Sequence, residues 1–190
     1  YQYTSMPKVI MDKFGEFFEI TDAVNDVGVP HEMFPALTSD EVMLNMIEAY
    51  IMKKDYDKAL TNFNIWMHNF TSYTKNVTMD DINRVYGEYQ EDELTGKSTG
   101  MKYYTPTEPT PKKELHPDFT VEKGDQENFL QCLLHCRRIM TLHEGLRWFD
   151  IKRYGMTIYR RTIDGSGDIT VTDTMNVDDP RRAIQLPASV

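Results

Sequence analysis

Two cysteines in 190 residues exclude a disulfide framework. Cys132 and Cys136 stand one helical turn apart, a spacing at which a disulfide between them would be strained, and cysteine usage leaves the redox compartment open. Basic residues are in the minority, 21 Lys+Arg against 30 Asp+Glu, for a net charge of −9. Phosphate backbones need a basic surface, so the balance argues against a nucleic-acid partner. No apolar run approaches the roughly 18–20 residues that span a bilayer. The opening YQYTSMPKVI has no initiator Met, no signal-type apolar region and no lipid-accepting Cys, and the chain stops at LPASV, so the expectation is a fragment whose targeting segment lies upstream. P-loop and dinucleotide glycine patterns are missing from the sequence, and HEGLR lacks the second His of a zinc-hydrolase HExxH.

What is present is 40% apolar and 27% charged, the composition of a globular domain or of a large piece of one. Residues 1–37 carry Gly15, Gly28, Pro30 and Pro35 as breakers, which predicts irregular structure with a short helix near Met11–Glu19. The clearest signal follows. Thr38 and Glu41 match a capping box, and Met43, Met46, Ile47 and Tyr50 recur at helical spacing with Leu44 and Ile51 beside them. Asp55 is placed to cap a second helix, in which Tyr56, Ala59, Leu60, Phe63, Trp66, Met67 and Phe70 hold one face. So short a connection predicts antiparallel packing of the pair. Thr78 opens a third helix with Asp80 and Asp81 near its positive end and a stripe of Ile82, Val85, Tyr86 and Tyr89. TGKSTG and the prolines 106, 109, 111 and 117 make 95–124 a long loop. A helix from Asp125 carries Phe129, Leu133, Cys136 and Met140 with Leu130, Cys132 and Ile139 beside them, and a shorter one near Leu146–Tyr154 stops at Gly155. Thr157–Ile163 and Asp168–Thr174, separated by DGSG, predict a small β-hairpin, and RRAIQLP predicts an extended tail. The expected fold is mainly α, with long loops and a small hairpin near the C-terminus.

The 38–71 pair resembles a tetratricopeptide unit, with Tyr50, Ala59 and Phe63 at that repeat's Tyr, Ala and Phe spacing; Ile47 departs from its usual small residue. One unit does not bury its own face, which points to further helices upstream. The stretch EGLRWFDIKRYG, Glu144–Gly155, looks like the EG-RWFDLKRWG signature of SusD/RagB proteins, preceded as in that family by paired arginines, Arg137 and Arg138. Ala183–Ser189, AIQLPAS, is similar to the family's closing segment without its IPQ triplet, and residues from Phe17 to Asn64 resemble its FEYT…GIGYPH…YDKA block; 72–124 match weakly. The resemblance implies the carboxy-terminal part of a single SusD-like helical domain spanning 1–190, with the tetratricopeptide-like pair at 38–71, the loop at 95–124 and the C-terminal helices, hairpin and tail at 125–190. It implies a lipoprotein exposed on the outer membrane, anchored through an N-terminal Cys not in this chain. Such a protein binds a nutrient, usually a glycan, for a TonB-dependent SusC-like transporter, with no catalysis, metal or cofactor. The competing readings are a tetratricopeptide-type protein-interaction module and a carbohydrate-active enzyme.

Saccharide binding needs flat aromatic faces beside polar groups, best carried on loops. Tyr103 and Tyr104, in the polar loop after Gly100, fit that need, with Tyr73 and Tyr89 as weaker candidates; ordinary surface packing is the alternative for all of them. Arg147, Trp148, Phe149 and Asp150 are expected to be structural, the aromatics as core wedges and the charges as an i,i+3 pair. On that reading Trp148→Ala costs about 3–5 kcal/mol. Cys132, His135, Cys136 and His143 fall short of a closed zinc site and read as core. The acidic runs Asp80-Asp81, Glu91-Asp92-Glu93 and Asp178-Asp179 read as solvated surface; a glycosidase needs two carboxylates at a set distance across a cleft.

Overall fold

The structure, a computed structural model, describes residues 16–32, 37–142 and 144–183. It divides into two compact units, Tyr1–Val42 and Met43–Val190. Among the described residues five α-helices alternate with three small antiparallel strand pairs.

In the first unit β1 (Glu16–Asp22) pairs with β2 (Val27–Glu32). The Asp22 carboxylate nucleates the turn, accepting the backbone N–H groups of Val24 (2.9 Å) and Asn25 (3.2 Å), and Asp26 reverses the chain at φ 54°. The helix expected near Met11–Glu19 is therefore corrected over Glu16–Glu19, which is strand; 11–15 lie outside the described residues. An Asx turn and cross-strand pairing decide the period here, which the short apolar run FFEI leaves ambiguous.

The second unit is built around one central helix. α1 (Ser39–Met52), which starts just ahead of the unit boundary, and α2 (Tyr56–Phe70) deliver Leu44, Ile47, Ile51, Ala59, Phe63 and Trp66 to a single core. Asp55 caps α2 through the Lys58 N–H, as its position predicts. The Thr38–Glu41 capping box does not form; the Glu41 N–H turns to the Asp40 carboxylate (3.0 Å). A box closes instead at α3 (Met79–Tyr86), where Thr78 and Asp81 exchange bonds of 3.2 and 3.1 Å. Met46 and Ile139, expected on apolar stripes, are exposed, because neighbouring Leu44, Ile51 and Leu134 take the inward positions.

α4 (Asp125–Met140) is buried nearly all round at its N-terminal half, polar residues included. Each buried amide has a partner from a distant segment, as burial of polar groups requires. Gln126 donates to the Ile51 carbonyl at the end of α1 (3.2 Å). Gln131 takes both backbone groups of Lys113, accepting its N–H (3.0 Å) and donating to its C=O (2.6 Å). Asn128 donates to Asn83 of α3 (2.8 Å). The 95–124 loop is consequently tied down along its length, after a minimal ladder between β3 (Gln90–Glu91) and β4 (Ser98–Thr99) at its start. Buried Lys112 fixes it further by donating to the Tyr86 and Gly87 carbonyls (2.6 and 2.8 Å) at the C-terminal end of α3, where the helix dipole favours a cation.

α5 (Arg147–Arg153) ends at Tyr154, and Gly155, at φ 58°, turns the chain beneath the His116 carbonyl, which a Cβ would approach to 2.1 Å. β5 (Ile158–Ile163) and β6 (Ile169–Met175) form the expected hairpin around Asp164, whose carboxylate accepts the N–H groups of Ser166 and Asp168 (2.9 Å each). The extended RRAIQLP tail is corrected at Arg181 and Arg182, which belong to a 3-10 turn, Pro180–Arg182, capped by Asp179; Ala183 is extended, and 184–190 lie outside the described residues. Buried Arg182 of that turn donates to carbonyls of Ile151, Met156 and Met175, joining helix and hairpin.

Candidate functional site

The Glu144–Gly155 stretch sits on a buried ion network. Arg137 of α4 donates through Nη1 to Glu48 of α1 (2.7 Å) and to Asp150 of α5 (3.2 Å), and through Nη2 to Asn45. Arg153 closes on the other Glu48 oxygen (2.7 Å) and Arg147 on the other Asp150 oxygen (3.4 Å). Burial works to raise the Glu48 pKa, but Arg137, Tyr154 and Arg153 together outweigh it and leave it lowered. For Asp150 burial prevails over Arg137 and Arg147, and its pKa is raised. The Tyr154 hydroxyl lies beside the network, buried and without a hydrogen bond of normal geometry. The expected Arg147–Asp150 pairing is thus found, as part of a larger set.

The aromatic half of that expectation is corrected. Phe149 is 66% exposed and Trp148 half-buried, and neither belongs to the core cluster. Asp150 is buried and Ile151 packs against the core, leaving Phe149 on the outer side of this short helix and Trp148 between the two.

Beside α5 lies a cavity of about 430 Å³, within the roughly 300–1,000 Å³ of small-ligand sites. The loop, α4, α5 and the hairpin each contribute to it. Its aromatic element is the stacked pair Tyr104 and Tyr159, with ring centroids 6.0 Å apart and planes at 23°. Its charged lining is cationic throughout, made of Lys113, Arg138, Arg147 and Arg161. The Lys113 ammonium sits 3.1 Å from the Tyr104 ring centroid and donates to the Thr110 carbonyl (3.1 Å). Arg161 donates to the Pro106 carbonyl (2.7 Å). Burial, then Arg138, Arg147 and Arg161, push the Lys113 pKa down to about 7.

Of the tyrosines singled out as ligand candidates, Tyr104 lines this cavity. Tyr103, its neighbour, is used internally: its hydroxyl donates to Glu127 (2.7 Å) and accepts from Lys123 (2.7 Å), and the Lys112 and Lys123 ammoniums lie over its ring. Tyr89 borders a shallower recess with Lys102 above its ring at 4.8 Å. Tyr73 is exposed in the α2–α3 connection. Sequence reasoning missed Tyr159, Lys113, Arg138 and Arg161. The i,i+1 offset of Tyr104 from the internally engaged Tyr103 was the one local hint of an outward ring. His135 accepts or donates through Nδ1 to the Tyr86 hydroxyl (2.7 Å), Cys132 is buried and Cys136 half-buried, and His143 lies outside the described residues. Among the described residues no group of three or more His, Cys, Asp or Glu converges as a metal site. No helix of the described residues is long and apolar enough to cross a membrane.

The chain matches no protein-family model, no curated protein and no solved structure.

Proposed function

We propose that the chain is part of a SusD/RagB-type protein that captures a nutrient, most simply a glycan or oligosaccharide, at the outer face of the outer membrane. It passes that ligand to a TonB-dependent SusC-like transporter without transforming it. On this reading α1 and α2 are a tetratricopeptide-like pair of a SusD-like helical fold, and the full-length polypeptide is held at the surface by a lipid anchor. The observation that carries the proposal is the Glu144–Gly155 stretch. Three charged residues of that stretch, Arg147, Asp150 and Arg153, are engaged in the inter-helix network. A signature shared by proteins with different ligands is expected to serve structure in this way. Support also comes from the aromatic and polar lining of the cavity beside it, which suits a saccharide through ring stacking and hydrogen bonds.

The test is made on the full-length gene product in its native cell. Metabolic labelling with a lipid precursor, surface proteolysis and affinity isolation should find it lipidated, exposed and bound to a TonB-dependent transporter. A cytosolic, unlipidated product that retains a peptide partner would favour the tetratricopeptide-module reading. Glycan hydrolysis abolished by a single carboxylate substitution would favour the enzyme.

A further inference from the structure

Resting on that capture reading, we infer that the cavity between the 95–124 loop, α4, α5 and β5 takes an acidic saccharide, one whose ring bears a carboxylate or a sulfate. The protein as a whole is acidic, with a net charge of −9, yet every charged side chain lining this cavity is a cation. These cations come from separate places: Lys113 from the loop, Arg138 from the last turn of α4, Arg147 from α5 and Arg161 from β5. Convergence of like charge costs stability unless something answers it. Arg147 is answered by Asp150 behind it, and Arg161 spends one N–H on a carbonyl. Arg138 is answered by nothing: it is exposed and, among the described residues, makes no hydrogen bond or ion pair. Glu114 borders a smaller adjoining recess but leans toward His116, 3.7 Å away.

The same convergence adds to the lowering of the Lys113 pKa. Its burial comes first, followed by repulsion from Arg138, Arg147 and Arg161. An anion among these groups relieves the repulsion and raises that pKa, so binding takes up a proton. Affinity is then highest below about pH 7, where Lys113 is charged in the free protein, and falls as pH rises above it. The Tyr104–Tyr159 stack supplies the apolar wall that a bare inorganic anion does not need and a sugar ring does. Guanidiniums supply paired donors that match carboxylate and sulfate oxygens.

The test is titration calorimetry of the full-length protein with three probes: trigalacturonate, its fully methyl-esterified form, and a chondroitin 4-sulfate disaccharide. The expected result is binding of at least one acidic probe with proton uptake near neutral pH, and much weaker binding of the ester. Arg138→Ala should weaken the acidic probe roughly tenfold, the scale of one charge-assisted bond, and Arg138→Lys should recover part of it. Both variants should keep the wild-type circular dichroism, since Arg138 holds nothing else in place. Ester binding as tight as acid binding, or an Arg138→Ala affinity unchanged, overturns the acidic-ligand inference and leaves the capture reading standing. No binding of either acidic probe overturns the inference as well, while lipidation and transporter association test the capture reading on their own.

Discussion

Removing Arg137 is the sharpest test of how the second unit is held together. The residue is 8% exposed and bridges Glu48, 6% exposed, to Asp150, 6% exposed. Arg137→Met keeps the length of the stem and deletes the charge. Glu48 keeps Arg153 and Asp150 keeps Arg147, so neither carboxylate is orphaned, but the cation between them is gone. Breaking a buried ion pair costs about 3–5 kcal/mol, and the two surviving partners place the expected loss near the lower end, about 3 kcal/mol. Urea unfolding measures it as a shift in midpoint at constant slope. The pH dependence gives an independent sign. With Arg137 present the Glu48 pKa lies below its ordinary value of 4.5, so its ionised form contributes stability that is complete above 4.5 and lost as pH falls through the folded value. Asp150, raised above 3.8, acts in the opposite sense. Without the cation both pKa values rise, protonation relieves the folded state, and the deficit of the variant shrinks from about pH 7 to about pH 4. A loss under about 1 kcal/mol near neutrality, or one that does not shrink in acid, would refute the network as a stabilising joint.

Three further perturbations probe the supports of the cavity. Lys112→Met leaves the Tyr86 and Gly87 carbonyls without their buried donor, and a loss of about 1.5–3 kcal/mol together with faster proteolysis inside 95–124 is expected. Gly155→Ala puts a Cβ 2.1 Å from the His116 carbonyl oxygen at a left-handed position; the conformation alone costs about 1–2 kcal/mol, so a melting-temperature drop larger than that implies should be seen by calorimetry. Trp148→Ala, because the ring is half-buried and outside the core, should cost less than the about 3–5 kcal/mol of a fully buried aromatic, and a urea measurement inside that range would return Trp148 to the core.

Elements that carry their own pattern were legible. The α2 stripe, the Asp55 cap, the Thr78 start, the Gly155 stop and the DGSG hairpin each rest on residues within a turn or two of one another. What was not legible depends on partners far along the chain. Gln126 and Gln131 look like surface residues until the end of α1 and the loop supply the groups they satisfy. FFEI reads equally as one helical turn or one strand, and the Asx turn at Asp22 decides. Phe149 reads as core because it is large and apolar, but on a helix as short as α5 the inward positions went to Asp150 and Ile151. The cavity was the least legible of all. Tyr104, Lys113, Arg138, Arg147, Tyr159 and Arg161 come from the loop, two helices and a strand, and no spacing joins them.

Arg147 connects the two halves of the structure's chemistry. Its guanidinium reaches Asp150 in the ion network and the Leu134 carbonyl of α4, and the same side chain lines the cavity. The opposite wall is equally fixed: Lys113 stands between the grip of Gln131 on its backbone and the Tyr104 ring under its ammonium. Arg147 and Lys113 are held from behind, so a ligand that met them would cost no ordering entropy at those two positions, whereas Arg138, without a partner among the described residues, would be ordered by the ligand. It follows that damage to the network should reach the cavity through Arg147: loss of Asp150 would free that guanidinium, and binding would weaken even though Asp150 itself lies behind the wall.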